Sequence, residues 1–202
     1  MKPISIGIGF SDSGDAEAAA KEAEEMAGKP AEFAIVFSSS RYDPYETYNG
    51  IRSVLKDANI IGCTTAGEFC NLSGKPINDS IVVLTVGGKL LKSSVGVGKN
   101  LSKNGEKAGI DAATSAYQSL DFNPYTTFVG MMKKTPLDIV KMKMFTNIVL
   151  PDGMSSSEED FLRGIVKITG RNYPIIGGSS ETIFNLNRLG NLEMEFTLIP
   201  GF

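Results

Sequence analysis

The sequence predicts an α/β fold: two related β-α-β-α-β halves forming a layered α/β sandwich with a mixed or largely parallel sheet. Three observations lead there. Short Ile/Val-rich runs bounded by Gly, Ser and Pro alternate with Ala-rich or amphipathic stretches, the pattern of strands separated by helices. Blocks of the first half return in the same order in the second. At 202 residues, 42% hydrophobic and 21% charged, the chain is long enough to bury a core and unlike a disordered polymer.

The first half reads as follows. Ser5-Ile6-Gly7-Ile8-Gly9 alternates as a strand, and only superficially resembles the apolar core of a signal peptide. A helix over 15–28 carries Ala16, Ala19, Ala20, Ala23 and Ala27 on one narrow face, suited to close approach to a sheet. Phe33-Ala34-Ile35-Val36-Phe37-Ser38 is a buried strand. Asp43-Pro44-Tyr45-Glu46 supplies an N-cap acceptor, Pro at the first helical position and Glu at the third, a capping-box start. Tyr45, Tyr48, Ile51, Val54 and Leu55 then share a helical face. Ile60-Ile61-Gly62-Cys63-Thr64-Thr65 is the third strand, and Ser80-Ile81-Val82-Val83-Leu84-Thr85-Val86 a strong fourth ending at Gly87-Gly88.

The second half repeats these blocks. Ser94-Val95-Gly96-Val97-Gly98 follows the first strand by 89 positions, with a helix over 102–120 after it. Thr146-Asn147-Ile148-Val149-Leu150-Pro151 echoes the second strand. Ser155 with Glu158 repeats the capping signature ahead of Phe161, Leu162, Ile165 and Val166 on one face, and Gly164-Ile165 matches Gly50-Ile51. Ile175-Ile176-Gly177-Gly178-Ser179-Ser180 matches the third strand 115 positions on, and a last strand falls at about 192–199. The halves thus span about 3–88 and 92–200. The growth in spacing places an insert in the second, at about 123–144. Paired glycines Gly7/Gly9 and Gly96/Gly98 lack the third glycine of a dinucleotide fingerprint and read as points of close backbone approach.

Composition removes several functions. With no histidine in the chain, a Ser-His-Asp or Cys-His unit cannot be assembled from it, and His-ligated metal sites are excluded. Cys63 and Cys70 are too few for a thiolate cage; they are expected as free thiols in a reducing cytoplasm. A net charge of −3 without a basic cluster argues against nucleic acid, and no apolar run reaches the length of a membrane helix. No cofactor is expected: Gly74-Lys75-Pro76 breaks the phosphate-loop pattern.

In open α/β sheets ligands collect at the carboxyl ends of strands. Four such ends are rich in Gly and small hydroxyl residues: those containing Ser11, Ser39, Gly62 to Glu68, and Gly177 to Glu181. The last two occupy matching places in the repeat, and each combines small donors with a carboxylate. Cys63, Thr64, Thr65, Gly67, Gly178, Ser179 and Ser180 could donate to an anionic group. Glu68 and Glu181 could hold a cationic one, with Ser11 and Ser39 at the rim. This set suits the zwitterion of an amino acid or a similar polar metabolite. A thiol just after a strand also admits a second reading, a Cys63-dependent hydrolase or transferase. A third is a protein-interaction module that works through a surface.

The run Ile61-Gly62-Cys63-Thr64-Thr65-Ala66-Gly67-Glu68 resembles the signature of the FIST domain family, a sensory module of signal-transduction proteins. Gly7-Ile8-Gly9-Phe10-Ser11, the strand at 34–38, the helix with Gly50-Ile51-Arg52, Leu150-Pro151-Asp152-Gly153-Met154 and Pro174-Ile175-Ile176-Gly177-Gly178-Ser179-Ser180 fit the same family. The resemblance implies a non-enzymatic sensor of small ligands, amino acids or their derivatives. It also implies that 1–202 is the N-terminal portion, with a C-terminal FIST portion or a signalling protein as partner.

Overall fold

The computed structural model describes residues 4–28, 30–74, 76–88, 91–120, 145–171, 173–180, 182–184 and 194–200. The expected insert at 123–144 and Glu181 lie outside them. The first unit runs β1 (Ser5–Ser11), α1 (Ala16–Ala27), β2 (Phe33–Ser39), α2 (Pro44–Val54), β3 (Asn59–Thr65) and β4 (Ile81–Gly87). The second runs β5 (Ser94–Gly98), α3 (Gly105–Ser119), β6 (Phe145–Leu150), α4 (Glu158–Thr169), β7 (Ile175–Gly177), β8 (Thr182–Phe184) and β9 (Met194–Pro200).

These strands form two mixed sheets, ordered β1-β4-β2-β3-β8 and β5-β9-β6-β7. Strands β2 and β3 are parallel, as are β6 and β7, while β4 and β9 enter antiparallel between the first and second strands of their units. The first four strands of each sheet therefore follow one order. Strand β8 departs from it, since it leaves the second unit and pairs antiparallel with β3 of the first, Gly62 opposite Phe184 and Thr64 opposite Thr182.

The helices begin where local chemistry supplies a cap. Asp15 accepts from the Ala18 N–H, Asp43 from those of Tyr45 and Glu46, and Asn104 from that of Lys107. The fourth start corrects the sequence expectation. Ser155 and Glu158 form no capping box. Ser155 closes a short 3-10 turn, the N-cap is Ser157 without a side-chain bond, and the Glu158 carboxylate instead lies 3.4 Å from the Ser179 hydroxyl. A left-handed Ser156, at φ 53°, breaks the register between cap and third residue that the box requires.

The glycine pairs set the depth of packing. A Cβ on Gly7 or Gly9 would lie 1.8 or 1.7 Å from the carbonyl oxygens of Ala23 and Ala19, so β1 meets α1 backbone to backbone. Gly96 and Gly98 stand in the same relation to Ala112 and Ala108 of α3, at 2.0 and 2.1 Å. One hydrophobic cluster joins α1 and α2 to the outer face of the first sheet through Ala20, Val36, Ile51, Ile60 and Val83. A second runs from Phe33, Ile35, Ile61 and Cys63 on the other face of that sheet, through Ile148, Val149 and Leu150, to Ala112, Phe161 and Ile165 of α3 and α4. The side chains of Phe161 and Ile165 are completely buried, each worth roughly 1.5–3 kcal/mol of transfer free energy.

Candidate functional site

The alternation of β2 and β3 sends Ile35, Phe37, Ile61 and Cys63 toward the second sheet, so Ser39 and Thr65 point the same way at the carboxyl end. Ser39 and Thr65 are direct partners in the parallel ladder. Beyond Thr65 the chain turns through exposed Ala66 and Gly67, and Glu68 then forms a bridge with Ile77.

Glu68 is 4% exposed, and its carboxylate is fully engaged inside the molecule. One oxygen accepts from the Thr65 hydroxyl; the other accepts from the Ser80 N–H at 3.1 Å and the Ser80 hydroxyl at 2.8 Å. Ser80 in turn offers its carbonyl to the Ser39 N–H at 2.9 Å. The Ser39 hydroxyl reaches Asp79, which also pairs with Arg41 at 2.6 Å. Thr65, Glu68, Ser80, Ser39, Asp79 and Arg41 thus form one continuous polar chain across the ends of β2, β3 and β4. A carboxylate inside such a chain fixes a loop.

The second turn approaches from the other sheet. Gly178 donates to Val149 at 3.3 Å, the Ser180 N–H donates to Pro151 at 2.8 Å, and Gly153 donates to Ser180 at 2.9 Å. These bonds hold 178–180 on the carboxyl end of β6, with Ser180 buried and Gly177, Gly178 and Ser179 exposed. Two residues after Ser180 the chain enters β8, where Thr182 faces Thr64. The two Gly- and hydroxyl-rich turns therefore leave the β3–β8 ladder from opposite strands at the same end.

The remaining sequence candidates are distributed less compactly. Cys63 and Thr64 lie inside the ladder, between β2 and β8, so their backbone groups face neighbouring strands. The Cys63 side chain is 3% exposed, within the core between the sheets, and burial pushes its thiol up to about 11. Both cysteines are free. Ser11 sits three strands from β3, where its hydroxyl accepts from the Asp15 N–H at 2.9 Å and contacts Ser13. By the register that the two units share, the residue corresponding to Glu68 is Ile183 and not Glu181, and Ile183 itself pairs with Cys63. Sequence reasoning missed Ser80 and Glu158. Ser80 reads as the polar flank of a strand, and Glu158 as a capping residue, so neither carried a signal of its place here. Among the described residues no cluster of His, Cys, Asp or Glu is placed to hold a metal, and no helix is long and apolar enough to cross a membrane.

Two strand units of one order, packed as an α/β sandwich with polar turns gathered at the carboxyl ends, define the class of protein. The FIST N domain model matches residues 32–189, and the chain belongs to that family, a sensory domain family of signal-transduction proteins. No curated protein matches it. Similar solved structures include an empty FtsZ dimer from M. jannaschii, with 23% identity over 41% of this chain and 26% of that one, at a TM-score of 0.29. The chain thus spans about a quarter of the FtsZ chain. A cyanuric acid hydrolase from A. caulinodans is 10% identical over 97% of this chain and 70% of that one, at a TM-score of 0.47. Both likenesses are too loose to bear on function.

Proposed function

We propose that this chain is the ligand-binding portion of a cytoplasmic, non-enzymatic sensor, and that its ligand is a free amino acid or a related zwitterionic metabolite. The observation that carries the reading is the pairing of Thr64 with Thr182, which brings the 65–68 and 178–180 turns to one end of one ladder. The exposed backbone at Gly67 and the hydroxyl of Ser179 suit a carboxylate, whereas the Gly178 N–H, expected from the sequence as a donor, is already given to Val149. Glu158, beside that hydroxyl, suits an ammonium group. Thr65, Glu68 and Ser39 act as the frame that sets the first turn, and Ser180 plays that part for the second. The buried, high-pKa thiol of Cys63 supports ligand sensing over thiol catalysis. Output through a signalling protein, with neither nucleic acid nor membrane as partner, completes the proposal.

The test is a thermal-shift screen of free amino acids against the wild type and Ser179→Ala. A ligand at 100 times its Kd stabilises by about 2.7 kcal/mol, and the variant should show a smaller shift at the same concentration. A complete absence of saturable shifts, or an equal shift in both proteins, rejects the reading.

A further inference from the structure

The two units treat corresponding segments differently. In the second unit the chain after β7 crosses over as β8 and covers the edge of β3, with Phe184 opposite Gly62. The corresponding segment of the first unit, 115 positions earlier, is Gly67-Glu68-Phe69. It does not cross. Glu68 exchanges both backbone hydrogen bonds with Ile77 of its own loop, each at 2.9 Å. In an antiparallel bridge the residues on either side turn their backbone groups the other way, so Gly67 and Phe69 present theirs outward, and Phe69 is 69% exposed.

Strand β7, the counterpart of β3, is the last strand of its sheet, and among the described residues nothing pairs with its outer side. Its parallel pairing with β6 uses the groups on one side only, leaving those of Ile175 and Gly177 on the open edge. Ile176 is 53% exposed. Ile175–Gly177 carries no charged side chain, and an apolar edge that nothing among the described residues pairs with is a template for another strand. Among the described residues the chain thus holds an open edge and a segment partnered on one side only, and they correspond to a pair already formed between its own halves.

We propose that a second copy of this chain covers the outer edge of β7, its 67–69 segment adding as an antiparallel strand with Phe69 opposite Gly177. Each copy supplies one edge and one segment, so reciprocal exchange closes a two-fold dimer without leaving either contact open. The contact also continues an existing interface, because the chain that leaves β7 leads directly into the β3–β8 ladder. The same register sets Gly67 of one copy opposite Ser179 of the other, so this contact and the proposed ligand draw on the same turns, and the proposal is tested without ligand. Sedimentation equilibrium of the full chain across a concentration series should show passage from 21.6 kDa to twice that mass. Phe69→Glu and Ile176→Lys alter exposed side chains, and each should hold the protein at the monomer mass while its circular dichroism is unchanged. A wild type that stays monomeric throughout, or a dimer that persists in both variants, overturns the proposal.

Discussion

Glu68 and Ser80 are joined by two hydrogen bonds to a single carboxylate oxygen, one from the Ser80 backbone and one from its hydroxyl. With Thr65 on the other oxygen, this buried carboxylate ties the turn after β3 to the entry of β4. The loop between is then held at its two ends, and the exposed Ala66 and Gly67 are carried in a fixed place.

Glu68→Ala should therefore destabilise the protein by about 2–3 kcal/mol, because it leaves buried donors on Ser80 and Thr65 unpaired. Ser80→Ala retains the backbone bond and should cost about 1 kcal/mol. Urea unfolding at constant m-value reads both. The exposed Glu159–Arg163 pair is the control, with Glu159→Ala expected within about 0.5 kcal/mol of wild type. A Glu68→Ala cost no larger than this control would remove the anchoring role.

Gly9→Ala and Gly98→Ala should each destabilise by about 3 kcal/mol or more, at or beyond the usual range for overpacking. The added methyl meets a helix carbonyl, at 1.7 Å from Ala19 or 2.1 Å from Ala108, and backbone cannot rotate away as a side chain can. Equal stability of Gly28→Ala and Gly9→Ala would contradict the packing account, because Gly28 faces open space and is held only by its φ of 65°.

These pairs show what the sequence makes legible. Gly9 against Ala19 and Gly98 against Ala108 follow from alternating glycines beside an alanine face, since small residues at fixed spacing have few uses other than close approach. The capped helix at Asp43 was readable for the same reason: local chemistry acts within four residues. Long-range pairings were not. Nothing in Ile81 to Gly87 says that β4 enters between β1 and β2, and Thr182-Ile183-Phe184 is too short to announce a strand that crosses to β3. At the site, the turns themselves were visible from Gly, Thr and Ser, but the inward aim of Glu68 depends on Ser80, a residue with no local signature.

The buried thiol gives a pH prediction. Burial raises Cys63 from its ordinary value of 9.0 to about 11, and Tyr117 from 10.0 to about 12. Between these values the unfolded chain has released protons that the folded one retains, so stability falls as pH rises. Unfolding free energy should decline from about pH 9 upward, and Cys63→Ala should flatten the decline between pH 9 and 11. At neutral pH a thiol reagent should label neither Cys63 nor Cys70 until the protein unfolds. Rapid labelling of Cys63 in the native state would restore the catalytic reading.

Asn147 on β6 is fully buried, and neither atom of its side-chain amide has a hydrogen-bond partner among the described residues. Its counterpart in the first unit is Ala34, part of an apolar cluster. Asn147→Leu should raise the unfolding free energy by about 1–2 kcal/mol, since it removes an uncompensated desolvation cost at similar volume. A loss of stability in denaturant melts would show that the amide is satisfied in solution.

The central claim is that the turns after β3 and β7 form one site. Amide chemical-shift mapping during titration with an amino acid found by thermal shift tests it most directly. The account predicts that Thr65, Ala66 and Gly67 move together with Gly177, Gly178 and Ser179, all on one saturation curve. Movement confined to a single turn, or two turns saturating at different ligand concentrations, would contradict it.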